Sequence, residues 1–180
     1  KFSDNKYDLS ENYFTVKNKL DDIKDDNIKM TNKNDLDKAN EIFDNFLENY
    51  KSVDKNNIKE TFRNLFENES KYQEHLNRRI GFGHINKNNP EKDYFNKTID
   101  CIKNCDIIIL EEYQNFWQKL YFSKKNNWLV IINYNGILVT SYKTDREKLL
   151  ARLEEGKKTS GINQKEINDD KEIKRKASKL

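Results

Sequence analysis

Residues 128–142 read WLVIINYNGILVTSY, two strand-like runs about an Asn-Gly turn. Trp128 to Tyr134 is an apolar, β-branched run of the kind found in buried strands. Asn135-Gly136 follows, the strongest short-range hairpin signal, because both central positions of a type I′ turn need positive φ. Ile137 to Tyr142 then returns antiparallel. With a two-residue turn, Tyr134 pairs with Ile137, Asn133 with Leu138, Ile132 with Val139 and Ile131 with Thr140. Alternation with period two sorts the side chains. One face collects Trp128, Val130, Ile132, Tyr134, Ile137, Val139 and Ser141, and is the apolar one expected to hold helices. The other collects Leu129, Ile131, Asn133, Leu138, Thr140 and Tyr142, and so carries three hydrogen-bonding side chains.

Working outward, FWQKLYF (116–122) alternates and DIIIL (106–110) is a short β-branched run, which gives two more strands. DREKLLARLEE (145–155) predicts a closing helix. Asn89-Pro90-Glu91 is a helix start, since proline is tolerated in the first turn. Phe95, Ile99 and Ile102 make its apolar stripe to about Asn104. The first 80 residues read as helices. NDLDKANEIFDNFLENY has Asn34 as N-cap and a 3.6-residue apolar period through Leu36, Ala39, Phe43, Phe46 and Tyr50. DKNNIKETFRNLFENE puts Ile58, Phe62, Leu65 and Phe66 on one stripe, and ESKYQEHLNRR continues as a helix to a break at Gly81. Leu9, Tyr13, Val16 and Leu20 suggest one further helix. The expected fold is α+β: N-terminal helices, then a small antiparallel sheet of three to four strands in a meander, with helices packed on one face. The chain divides into a helical region (1–77), a mixed α+β region (78–155) and a basic tail (156–180).

Hydrophobic residues are 34% of the 180 and charged residues 36%, yet ten Phe, nine Tyr and two Trp supply area for a core. The formal charge is +3 overall, but −4 over residues 1–70, +3 over 71–155 and +4 over 156–180. The basic second half points to an anionic partner. No 18-residue apolar span and no signal-peptide pattern is present. The chain starts with Lys, which suggests excision from a longer polypeptide. Cys101 and Cys105 are one helical turn apart, without a CxxC or enough histidine for structural zinc, and read as packing residues. No cofactor or metal is expected.

The segment NRRIGFGHI (77–85) spends two of five glycines and one of two histidines within four positions. Gly81 and Gly83 free the backbone to turn from helix to loop and permit close approach of a ligand. His84 then lands where helices meet the sheet. Gly-Phe-Gly lacks the GxGxxG pattern and no strand precedes it, which argues against a nucleotide-cradling loop. His75, at helical spacing, reads as a surface or interface residue.

A sheet face with hydroxyls beside a histidine suits metal-free phosphodiester cleavage. A general base takes the ribose 2′-OH proton, an acid protonates the leaving 5′-oxygen, and donors stabilise the phosphorane-like transition state. Histidine has the pKa for this task, and arginine or lysine supplies charge to the phosphate.

The order GHI, a polar gap, an amphipathic helix, NCDIIILEE, a strand and WLVIINYNGILVTSYKTD resembles the barnase–EndoU–colicin–RelE (BECR) nuclease superfamily. The likeness is to its phage- and toxin-type branch and covers roughly residues 78–145. It implies a metal-independent ribonuclease that leaves a 2′,3′-cyclic phosphate, with RNA, tRNA included, as substrate. It also implies an immunity or antitoxin protein as partner, and action in the cytoplasm after delivery within a larger polypeptide. By the resemblance His84 is the acid/base, and Thr140 and Tyr142 hold the phosphate or position the nucleophile. The Arg-His pair that commonly follows the histidine is replaced by Asn86-Lys87-Asn88-Asn89. The cationic role therefore falls to Lys87, Lys119, Lys143, Arg78 or Arg79, with Lys119 assigned to the catalytic set. Trp117 and Tyr121 share a face with Lys119 and offer a stacking platform for a base if that face is open; if it is the core face, Lys119 guards a strand edge. Glu111 and Glu112 read as carboxylate bases or as a turn-exposed acidic pair. The competing reading is a non-catalytic protein- or nucleic-acid-binding module on a nuclease-like scaffold. A DNA-directed nuclease ranks lower, because no metal-binding cluster is visible.

Overall fold

The computed structural model describes residues 33–105, 107–113, 115–154 and 159–160; the helix expected before residue 30 and most of the basic tail lie outside these. The element order is α1 (Lys33–Tyr50), α2 (Ile58–Thr61), α3 (Glu69–Gly81), α4 (Pro90–Asn104), β1 (Ile107–Tyr113), β2 (Phe116–Ser123), β3 (Trp128–Asn133), β4 (Leu138–Lys143), α5 (Arg146–Glu154) and β5 (Thr159–Ser160). The fold is α+β. Strands β1 to β4 form an antiparallel meander, and the two-residue β5 pairs with β1, giving the order β4-β3-β2-β1-β5.

The hairpin differs from the two-residue reading. Gly136 has φ +77 but Asn135 is not in the positive-φ region. The Gly136 N–H donates to Asn133 O at 2.9 Å and the Asn133 N–H to Ile137 O at 3.0 Å, so the loop has three residues, Tyr134 to Gly136. A bulge then leaves Val139 between the pairs Ile132–Leu138 and Ile131–Thr140. The longer loop and the bulge each shift the register by one residue and cancel, so Ile131 meets Thr140 as the two-residue turn would also have it. What changes is the stretch between them. Leu138 joins the core face beside Ile132, and Val139 is exposed. The turn is held from α1, whose Asn45 Nδ2 donates to Tyr134 O at 2.9 Å and whose Asn49 Nδ2 donates to Gly136 O at 2.9 Å.

One core unites the helices with a sheet face. Ala39, Phe43 and Phe46 of α1, Phe62, Tyr72 and Leu76, and Tyr94, Ile99 and Ile102 of α4 pack against Tyr121, Trp128, Val130, Ile132 and Leu138. The division expected at residue 78 falls inside α3 and does not separate two packed units. Residues 55–65 form two short 3₁₀ turns around α2 instead of one continuous helix. Thr61 Oγ1 bonds back to Asn57 O and receives the Asp54 N–H, and the tightened turn drives Phe62 among Phe66, Tyr72, Tyr94 and Phe95 at 5.4–5.7 Å between ring centroids. Cys101 and Cys105 are buried, and the Cys101 thiol donates to Tyr121 O at 3.4 Å and Trp128 O at 3.3 Å. On the opposite face Leu149 of α5 covers Ile107, Ile109, Leu120, Phe122, Leu129 and Ile131, with Tyr142 at the margin. Among the described residues no helix is long and apolar enough to cross a membrane.

Candidate active site

β4 is an edge strand, and α3 lies along it. The segment entering α3 touches the strand through a parallel bridge from Phe66 to Leu138. Asn68 caps the helix by accepting the Lys71 N–H, and Arg78 and Arg79 occupy its last turn, where the helix dipole favours cations. The helix stops in a Schellman motif. The Gly83 N–H donates to Ile80 O at 3.1 Å and the His84 N–H to Arg79 O at 2.9 Å, while Gly83 takes φ +70. Gly81 by contrast is an ordinary helical residue. The GFGH stretch is thus a helix stop. It fixes His84 close beyond Arg79 by a backbone bond between the two residues.

Arg79 is only 6% exposed. Its guanidinium lies over the Tyr142 ring at 5.3 Å, its Nε has no hydrogen-bond partner, and no carboxylate pairs with it among the described residues. Burial holds its pKa below the usual arginine value. His84 is half-buried beside it, with its ring edge-on to Trp128 at 6.3 Å and tilted toward the exposed Phe82 at 5.7 Å. The Lys143 N–H makes a long 3.4 Å contact to Nδ1, which assigns the proton of the neutral ring to Nε2. Burial first, then the charges of Arg79, Lys143 and Lys148, lower the His84 pKa below 6.5, so the imidazole is neutral at pH 7. Burial raises the Tyr142 phenol, against the opposing charges of Arg152 and Arg79, so it remains a hydrogen-bond donor.

A cleft of about 460 Å³ lies between α3 and the β3–β4 hairpin, lined by Lys71, Glu74, His75 and Arg78 on one side and Asn133 and Thr140 on the other. Arg78 is paired with Glu74 at 2.6 Å, and His75 stacks on Phe66 with its Nδ1 buried and unbonded. The cleft and the Arg79–Tyr142–His84 cluster are flanked by the same two elements. Arg79, His84, Tyr142 and Lys143 therefore come together, Arg78 and Thr140 line the adjoining cleft, and Lys87 is exposed on the loop that follows His84. That loop is pinned by the Asn86 N–H, which donates to Asp93 Oδ2 at 2.7 Å.

Three expected site residues lie elsewhere. Lys119, Tyr121 and Trp117 share a face, but it is the core face beneath α1. Lys119 is fully buried, donates to Ala39 O at 3.1 Å and sits over the Phe43 and Tyr121 rings at 5.2 and 4.9 Å. Burial pushes its pKa down to about 7. β2 is an interior strand, which also removes the edge-guarding role. Tyr121 is buried and offers no stacking surface, and Trp117 is half-buried under the Lys38 ammonium at 4.5 Å. Glu111 is not turn-exposed either. It is fully buried on the α5 face, accepting from Gln118 Nε2 at 2.7 Å and from Arg152 at 2.9 Å. Arg152 and Gln118 belong to no motif in the sequence; the signal for Gln118 is the alternation that puts it with Glu111 on the Tyr142 face. No group of His, Cys, Asp and Glu that could hold a metal occurs among the described residues.

A family model described as "Uncharacterised protein aq_aa01" matches residues 55–179, and the chain belongs to that family. The matched stretch takes in every residue of the cluster and cleft just described. No curated protein and no solved structure matches the chain.

Proposed function

We propose that the protein is a metal-independent ribonuclease that binds RNA, tRNA included, along the groove between α3 and β4. The observation that carries this reading is Arg79, a buried guanidinium with no carboxylate partner, stacked on Tyr142 and bonded through its backbone to His84. A buried cation without a counter-ion is costly, and an arriving phosphodiester would supply the missing charge and acceptors. Lys143 and Lys148, whose charges also reach His84, add to the same positive field. In the cleavage step His84 takes the proton of the ribose 2′-OH and O2′ attacks phosphorus. The P–O5′ bond breaks, and O5′ leaves with a proton from water, giving a 2′,3′-cyclic phosphate and a 5′-OH. To accept at Nε2 the ring shifts its own proton to Nδ1 and gives up the long Lys143 contact, a small loss at 3.4 Å. Tyr142 and Arg79 hold the non-bridging oxygens. An immunity protein in the cytoplasm would act by covering this groove.

A second reading, an RNA-binding module that does not cut, is favoured by one observation: the cluster holds a single imidazole, and His75 belongs to the neighbouring cleft. Arg79→Met tests the phosphate site common to both. The variant should bind single-stranded RNA at least tenfold more weakly by fluorescence anisotropy while unfolding at higher urea, by about 1–2 kcal/mol, because an unpaired buried charge is gone. Unchanged RNA affinity in a folded variant overturns the reading.

A further inference from the structure

Trp128 borders two features. One of its sides meets the His84 ring, and it also lines a separate cleft of about 380 Å³ between α4 and the β2–β3 turn, with Asn96, Lys97, Asp100 and Asn126. The ring is fixed, because its indole N–H donates to Ser141 Oγ at 2.7 Å, and Ser141 is in turn bonded to Thr98 and Tyr94 of α4. The cleft is within the size range of sites that take small organic ligands.

Asp100 has no cationic partner among the described residues; its carboxylate accepts only from two exposed amides, Asn126 Nδ2 at 3.0 Å and Asn104 Nδ2 at 2.8 Å. Asn96 is exposed, and the charge of Lys97, which also lines the cleft, is paired with Asp93 at 2.7 Å. A carboxylate with spare lone pairs and an exposed amide therefore line the cleft, beside the largely buried Trp128 indole. This set matches the edge of a nucleobase that carries an exocyclic amino group: adenine, cytosine and guanine offer N–H donors there, and uracil offers none of that type.

We infer that this cleft is a nucleobase subsite, joined through Trp128 to the phosphate site at Arg79 and His84, and that it favours amino-bearing bases over uracil. The inference rests on the phosphate reading of the Arg79 cluster and names what the neighbouring cleft takes from the same ligand.

The test is a titration of the whole protein with the four ribonucleoside 3′-monophosphates and with ribose 5-phosphate, read by NMR chemical-shift changes. Adenosine, cytidine and guanosine monophosphates should bind at least fivefold tighter than uridine monophosphate, which should bind as ribose 5-phosphate does. The double variant Asn96→Ala/Asp100→Ala, at exposed helical positions where alanine is well tolerated, should reduce the adenosine, cytidine and guanosine monophosphates to the ribose 5-phosphate level and leave uridine monophosphate and ribose 5-phosphate unchanged. If ribose 5-phosphate binds but no base adds affinity, or if the preference survives in the double variant, the subsite is wrong and the phosphate reading stands. If neither nucleotides nor ribose 5-phosphate bind, both fall together.

Discussion

Gly83 and Gly81 stand two residues apart and do different things. Gly83 is the left-handed residue of the helix stop at φ +70, where a Cβ is strained whatever room surrounds it; Gly81 is helical, with open space around the position of a Cβ. Gly81→Ala should therefore stabilise the protein by about 0.5–1 kcal/mol, as alanine does over glycine within a helix. Gly83→Ala should destabilise it by about 1 kcal/mol and displace His84. Urea denaturation of the two variants checks this, and equal effects of the same sign would refute the helix-stop assignment. The break after Arg79 was legible because glycine and histidine were spent so locally. The importance of Arg79 over Arg78 was not. Which of two adjacent arginines turns inward depends on where a strand sixty residues later lies beside the helix, and no local pattern carries that. Thr140 and Tyr142 were legible as a pair from alternation alone, but their separation into cleft and cluster was set by the side chains of α3.

At the scale of elements, the strands, the meander and α4 followed from β-branched runs, proline placement and apolar spacing. The hairpin loop did not. Asn135-Gly136 favours a two-residue turn, but α1 docks on the loop, and its Asn45 and Asn49 amides hold the carbonyls of Tyr134, Asn135 and Gly136. A Cβ on Gly136 would overlap the backbone of Asn45 and Phe46. This contact, 86–89 residues away in sequence, outweighs the local turn preference, and the bulge at Val139 restores the register. Gly136→Ala should cost about 2–3 kcal/mol, well beyond a simple positive-φ penalty, because backbone has to move. Thermal unfolding measures it, and a loss no greater than that of Gly83→Ala would show that the packing of α1 on the turn is looser than described.

At the scale of the molecule, α1 is an integral layer of the core and brings an unusual cost with it. Lys119 is buried between α1 and the sheet, with the Ala39 carbonyl as acceptor and aromatic faces around it. Alternation placed Lys119, Trp117 and Tyr121 on one face, but could not say which face helices would cover, since Trp128, Val130 and Ile132 lie there and the lysine interrupts them. Its pKa of about 7 lies below the ordinary 10.5, so the fold favours the neutral amine. The unfolded chain binds the proton first as pH falls, and stability should decline from about pH 10 toward pH 7 and reach its full penalty below that. Lys119→Met should be more stable than the parent at pH 6 by about 1–3 kcal/mol and should flatten this slope; parallel pH profiles of the two proteins would contradict a buried neutral lysine. Metal-free cleavage of RNA in the α3–β4 groove, as proposed, is tested by incubating the protein with total RNA and with tRNA in EDTA, beside His84→Ala, and mapping the cut ends. Fragments ending in 2′,3′-cyclic phosphate, absent with His84→Ala, are the predicted result. Intact RNA with the folded parent protein, or cleavage that survives His84→Ala, would contradict it.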